Sequence, residues 1–468
     1  MTTRLLLTGA TVVDPRDGRL TESTDVFIKD GRILDVRPGI EADAERVDAS
    51  GTYVVPGYND MHAHPLGKAD PATTLELMLA HGITGFRQMG GSIDLLRRRA
   101  AGKLGFPDAS PALLATPGPL LTPANASTVD QAVAAIREQH AEGADFIKAG
   151  LVTREVFFDA QAEARRLGLP IAGHLPAGID VEKASRGGMK SIEHLGPGVA
   201  LFACCSGDHG DIREAAAAGG PKLKLPPFKI PFLDKVMDRV LRKLVINPIN
   251  VSKPADIANL SRAIGTFDRE RAQVLAERFA ADGTWQVPTL IRIKTQELCD
   301  SPAFAEDPDL TYTTPATKKA WRAAAAKFAE FPADARATFT EAYKRQLELT
   351  KLFDDAGVKM LAGTDSSGAA WVIPGAALHR EFAELARAGL TPLRVLQLTT
   401  TLPAEFLGTT ATMGTVEPGK NADLVLLTEN PLTDVKHLRH IAGVVRAGRH
   451  YSAADLAARK KKLAGSVP

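Results

Sequence analysis

Eight times between Val54 and about Leu407, a short apolar run ending in polar residues is followed by a longer segment with helical spacing. The runs are YNDMHAH (58–64), GITGFRQMG (82–90), ALLATPG (112–118), ADFIKAG (144–150), PIAGHLP (170–176), SIEHLG (191–196), WQVPTLI (285–291) and VKMLAGTD (358–365). Intervening segments such as VDQAVAAIREQHAEG and REVFFDAQAEARRLG end at Gly, where helices commonly stop. Eight strand-helix units predict an α/β chain folded as a (β/α)8 TIM-like barrel, whose chemistry gathers where the strands end. Two connections are too long for simple units: 197–284, with its Pro- and Lys-rich PKLKLPPFKIP, and 292–357. Such insertions are expected to cover the mouth of the barrel.

The two ends of the chain read differently. RLLLTGATVVDP and VFIKDGRILDVRPG near the start, and VEPGKNADLVLLT (416–428) and IAGVVRAGRHY (441–451) near the end, are strand-like runs divided by Gly and Pro. Lys29-Asp30-Gly31-Arg32 has the composition of a hairpin turn. The termini are therefore expected to form one small composite β-sandwich, residues 1–55 plus 411–468, flanking a barrel over 56–410.

Composition narrows the function. Lys and Arg number 57 and Asp and Glu 55, a net charge of +2, so nothing general draws the chain to nucleic acid or anionic membranes. The three cysteines, Cys204, Cys205 and Cys299, imply no disulfide framework, and a metal site of Cys204, Cys205 and His209 lacks a second ligand pair. The first residues carry no long apolar core of a signal sequence, and no run is long enough to span a membrane. These features predict a cytoplasmic protein acting on a small-molecule substrate.

His62 and His64 lie two apart on a strand, so both side chains point to one face and can grip one metal ion. His174 and His194 end their strands in the same way, and Asp365 closes the last. A barrel brings all these ends to a common point. Lys148 sits at the strand end in DFIKAG, where a lone ammonium is costly to bury. It either pairs with a carboxylate such as Asp365 or reacts as the neutral amine with carbon dioxide, giving an anionic carbamate able to bridge two divalent ions. Nitrogen and oxygen donors of this kind suit zinc.

PGYNDMHAH (56–64), with Lys148, His174, His194 and Asp365, framed by VVDPRDGR early and VEPGKNADLVLL late, resembles the amidohydrolase superfamily. Within it the chain is similar to the imidazolonepropionase-like, Xaa-Pro dipeptidase and ochratoxin-type amidase group. The resemblance implies two divalent ions. His62, His64 and Asp365 would hold the more buried ion, His174 and His194 the more exposed one, and carboxylated Lys148 would bridge them. Imidazolonepropionases proper lack that bridging Lys. The dipeptidase relatives often carry Asp where this chain has Gln88, and a glycine-rich run where it has AGLVTREVF.

Two divalent ions would acidify a water and polarise a carbonyl, with Asp365 as proton shuttle. The expected reaction is hydrolysis of an amide C–N bond in a carboxylate-bearing substrate such as an N-acyl amino acid or dipeptide. A heterocycle deaminase and a non-catalytic homologue are the alternatives. Arg292 and Lys294, read as alternating residues after the seventh strand, would share a face and clamp the substrate carboxylate, and Arg154 follows the fourth strand. Glu193 is expected on the face opposite His194 in a structural role, and His81 and His140 at helix ends. A homo-oligomer is expected, since near-neutral charge does little to keep chains apart.

Overall fold

The computed structural model describes residues 4–67, 70–196, 198–219 and 245–465. The PKLKLPPFKIP run lies outside the described residues.

The chain ends come together in one sheet. Its strands are β1 (Arg4–Val13), β2 (Leu20–Lys29), β3 (Arg32–Arg37), β4 (Glu45–Asp48) and β5 (Tyr53–Pro56) from the start of the chain. From its end, after the central strands β6–β12 given below, come β13 (Leu424–Leu427), β14 (Ile441–Arg446) and β15 (Arg449–Ser452). The order is β15-β14-β13-β5-β1-β2-β3, with β4 also on β1. The expected β-sandwich is thus one continuous hydrogen-bonded sheet. Long β1 pairs β2 on one edge and serves two neighbours on the other, β4 through Leu5 to Thr8 and β5 through Thr11 and Val12. Left-handed Gly9 (φ 69) lies where its register shifts. The join between chain ends is β5 against β13, Val55 opposite Val425. Leu5, Leu7, Val26, Ile28, Val54, Leu424 and Val445 form the buried face. The Lys29–Arg32 hairpin is present, with Asp30 (φ 50) and Gly31 (φ 76) both left-handed as a type I′ turn requires.

The central part is mixed α/β. One parallel sheet contains β6 (Tyr58–Ala63), β7 (Ile83–Gln88) and β8 (Ala112–Ala115). A second contains β9 (Ile147–Ala149), β10 (Ile171–Gly173), β11 (Met189–Glu193) and β12 (Trp285–Val287). Between the sheets, the Asp145 amide donates to Thr116 O (3.1 Å) and the Leu121 amide to Lys148 O (3.0 Å). Residues 358–365 carry no regular strand, yet they bond on both sides. Gln286 N donates to Lys359 O and Leu361 N to Gln286 O (both 3.0 Å), while Met61 N donates to Ala362 O (2.9 Å) and Asp365 N to His62 O (2.7 Å).

The helices over Val129–Ala141 and Arg154–Arg166 begin at Thr128 and Thr153, whose hydroxyls accept from the Gln131 and Val156 amides. They stop just before left-handed Gly143 and Gly168. Ala132 and Ile136 on one, and Val156, Phe157, Ala160 and Ala164 on the other, turn toward the core at helical spacing. The described parts of both long insertions are helical. The seventh run departs from expectation. Strand β12 ends at Val287, and Leu290–Glu297 is a helix, because Pro288 cannot continue the ladder and Thr289 turns left-handed (φ 49). Among the described residues no helix is long and apolar enough to cross a membrane.

Candidate metal centre

The Asp60 carboxylate, fully buried on β6, fastens the first and last runs. It accepts from the His62 amide (3.2 Å), the Thr364 amide (3.1 Å) and the Thr364 hydroxyl (2.6 Å). That places Asp365 across from the β6 histidines. Asp365 Oδ1 lies 3.1 Å from His64 Nε2 and 3.3 Å from His62 Nε2, and Oδ2 lies 3.9 Å from His194 Nε2. The rings of His62 and His194 are 4.5 Å apart between centroids, and His174 sits 5.2 Å from His194. Ligand atoms of His62, His194 and Asp365 all fall within 4.8 Å of one another. The structure thus brings His194 into the group expected to be His62, His64 and Asp365, with His174 next to it.

Three residues reach this arrangement through left-handed backbone: His194 (φ 57), Thr289 (φ 49) and Asp365 (φ 58), each just past or near a strand end. Such conformations cost of order 1–3 kcal/mol each and persist where surrounding structure imposes them. The turn at His194 also ends the alternation of β11. Glu193 therefore does not leave the site: its Oε2 is 2.6 Å from His62 Nδ1, correcting the expectation of an opposite face. His194 Nδ1 lies 2.6 Å from the Thr289 hydroxyl, whose own proton goes to Pro288 O (2.7 Å). An oxygen that has given its proton away accepts, so His194 donates from Nδ1 and leaves the Nε2 lone pair facing Asp365.

Lys148 on β9 is 1% exposed, and its Nζ has no hydrogen-bond partner among the described residues. Burial pushes its ammonium down to about 8, against the pull of Glu193 and Asp365. Burial likewise lowers His174 to about 3 and His194 well below the usual range, which keeps both imidazoles neutral. Burial opposes the charge of Asp365, but its carboxyl lies well below the usual range, with His64 Nε2 3.1 Å from Oδ1 and the Arg292 guanidinium donating to Oδ2. Neutral imidazoles, an ionised carboxylate, an unpartnered amine and an orphaned His62 Nε2 are a donor set that fits divalent metal.

The three candidate substrate cations separate. On a helix, Arg292 and Lys294 cannot share a face as they would on a strand. Arg292, 4% exposed, donates to Asp365 Oδ2 (3.1 Å) and to the carbonyls of Val245 (2.7 Å) and Ile246 (3.3 Å). Lys294 pairs with Glu384. Arg154 is exposed at the start of its helix, 3.7 Å from Glu155. Gln88 accepts from the Leu66 amide and donates to Gly90 O, bracing the turn that packs on His64. His140 ends its helix as expected, and His81, just past the helix Pro71–Leu79, bonds Leu77 O. The cysteines are free thiols, two of them buried, and form no metal group among the described residues.

The amidohydrolase family model matches residues 291–450. A dihydroorotase from Pelotomaculum thermopropionicum is 52% identical over 62 residues, 13% of this chain and 14% of that enzyme. One from Citrifermentans bemidjiense is 34% identical over 103 residues, 20% of this chain and 24% of its own. The chain therefore spans a small fraction of the curated relatives it matches. Among solved structures, it is similar to bottromycin amidohydrolase (22% identity, 98% of this chain and 90% of that one, TM-score 0.69). It is also similar to a Xaa-Pro dipeptidase with methionine in its active site (18%, 96% and 100%, 0.59) and to A. niger ochratoxinase (16%, 97% and 96%, 0.58). The fold is that of these proteins, and the resemblance to amidohydrolases read from the motifs holds.

Proposed function

We propose that this chain is a metal-dependent amidohydrolase that cleaves the amide C–N bond of a small substrate such as an N-acyl amino acid or a dipeptide. The observation that carries the reading is the convergence of His62, His194 and Asp365 within 4.8 Å beside an unpartnered buried lysine. On this reading, the two parallel sheets and residues 358–365 are the eight runs of a (β/α)8 barrel over 56–410, with 1–55 and 411–468 as the composite β domain.

His62, His64, His174, His194 and Asp365 would hold two divalent ions, with Lys148 between them. When bound, such ions acidify a water and polarise a carbonyl. Lys148, its amine neutral for part of the time near pH 7, adds to carbon dioxide and releases one proton, and the resulting carbamate is an anionic ligand with two oxygens. Asp365 takes the proton from the attacking water as the oxygen bonds to the carbonyl carbon. It returns that proton to nitrogen as the C–N bond breaks, giving a carboxylic acid and an amine, a transfer worth about 10² to 10⁴ in rate. Arg292 anchors Asp365 Oδ2 and is spent there. Of the three cations, Arg154 remains for a substrate carboxylate.

A screen of dipeptides, N-acyl amino acids and aryl amides, scored for amine release, tests the reading. Turnover of at least one class, lost on chelation, supports it. Ammonia from a purine, pyrimidine or triazine ring with every amide untouched would establish a deaminase instead.

A further inference from the structure

We infer that Arg87 and Glu193 are positioning residues for His62, a role that rests on the reading of His62 as a metal ligand. Arg87, Glu193 and His62 are each 1% exposed or less, and they come from β7, β11 and β6. The two Glu193 oxygens have separate tasks. Oε1 accepts from Arg87 Nη2 (2.8 Å) and the Ser191 hydroxyl (2.6 Å), which fixes the carboxylate plane. Oε2 is thereby left for His62 Nδ1 at 2.6 Å. An acceptor-only carboxylate at Nδ1 keeps the proton there and aims the Nε2 lone pair at Asp365.

Arg87 controls the same ring by a second route. Its Nε donates to Met61 O (2.7 Å), the carbonyl immediately before His62, so one guanidinium holds both the backbone that carries the imidazole and the carboxylate that orients it. The guanidinium is clasped by Phe406 (4.9 Å to the ring centroid) and Phe146 (5.5 Å). The guanidinium, charged at any ordinary pH, and the Ser191 hydroxyl both donate to Oε1, so the carboxylate carries its charge against a fixed cation and presents Oε2 as an acceptor. Arg87 also lines a cavity of about 210 Å³ with Leu114, Phe146, Lys190 and Phe406, which adjoins the space a shortened side chain would leave.

The test uses full-length Glu193→Gln and Arg87→Ala, zinc affinity by chelator competition, and ¹⁵N spectra of metal-free protein labelled at histidine. A carboxamide satisfies His62 only by turning its own donors toward Arg87. Glu193→Gln is therefore expected to bind zinc 10- to 100-fold more weakly, with unchanged circular dichroism and a mixture of His62 tautomers in place of one. Arg87→Ala should show the same loss, reversed by millimolar guanidinium and not by urea. If it does not fold, Arg87→Lys, which keeps the charge but not the fork, should give an intermediate affinity. Wild-type zinc affinity and a single His62 tautomer in Glu193→Gln would overturn the inference. A wild-type protein that binds no zinc, yet whose His62 tautomer shifts in Glu193→Gln, would sink the metal reading and leave the positioning role standing.

Discussion

Glu297 is the last residue of the helix Leu290–Glu297, which carries Arg292 to Asp365. It is 7% exposed, and among the described residues Oε1 accepts only from Gln346 Nε2 (3.1 Å) and Oε2 has no partner. Burial pushes its carboxyl up to about 8, from an ordinary value of 4.5. Between those two values the folded chain holds a proton that the unfolded chain has released, so stability falls as pH rises and the loss is complete above about 8. At up to 1.36 kcal/mol per pH unit, with the slope flattening as pH nears 8, the group costs roughly 3 to 4 kcal/mol between pH 5 and pH 8. Glu297→Gln keeps the shape and the acceptor toward Gln346 but cannot ionise. Urea denaturation of both proteins should find them similar at pH 5 and the variant more stable by roughly 3 to 4 kcal/mol at pH 8. A difference that does not change with pH would refute the assignment of a buried, strained carboxyl at this position.

Three further outcomes follow from the geometry. Arg292→Ala should lower kcat about tenfold or more with little change in KM, because Arg292 grips Asp365 and two carbonyls; a rise in KM confined to carboxylate substrates would restore the clamp reading. Lys148→Ala should lose one metal equivalent and most activity, and added propionate should recover part of both; a variant with full metal and normal turnover would exclude the carbamate. Tyr58→Phe leaves the buried Leu438 carbonyl without its 2.9 Å bond and should cost about 1 to 2 kcal/mol in a thermal melt; an unchanged melt would mean that bond contributes nothing.

The parts of the fold carried by local chemistry were legible in the sequence. Asp30-Gly31 announces a type I′ turn because few residues tolerate two left-handed positions in a row, and Gly143 and Gly168 mark helix ends for the same reason. His62, His194 and Asp365 were legible because strand ends converge. What escaped depended on left-handed backbone at residues that give no warning of it. Thr289 converts the run after Val287 from strand to helix, which parts Arg292 from Lys294. His194 breaks the alternation and keeps Glu193 at the site. Both conformations are imposed by tertiary contacts, and no glycine signals them. A carboxylate immediately before a candidate ligand was the one available hint for Glu193.

The most direct test of a metal centre built from His62, His64, Lys148, His174, His194 and Asp365 is elemental analysis of the pure protein alongside its hydrolytic activity. Close to two divalent ions per chain, most simply zinc, with activity that disappears as they are stripped and returns as they are restored, is the predicted result. Less than half an equivalent of metal in a fully active protein would contradict it.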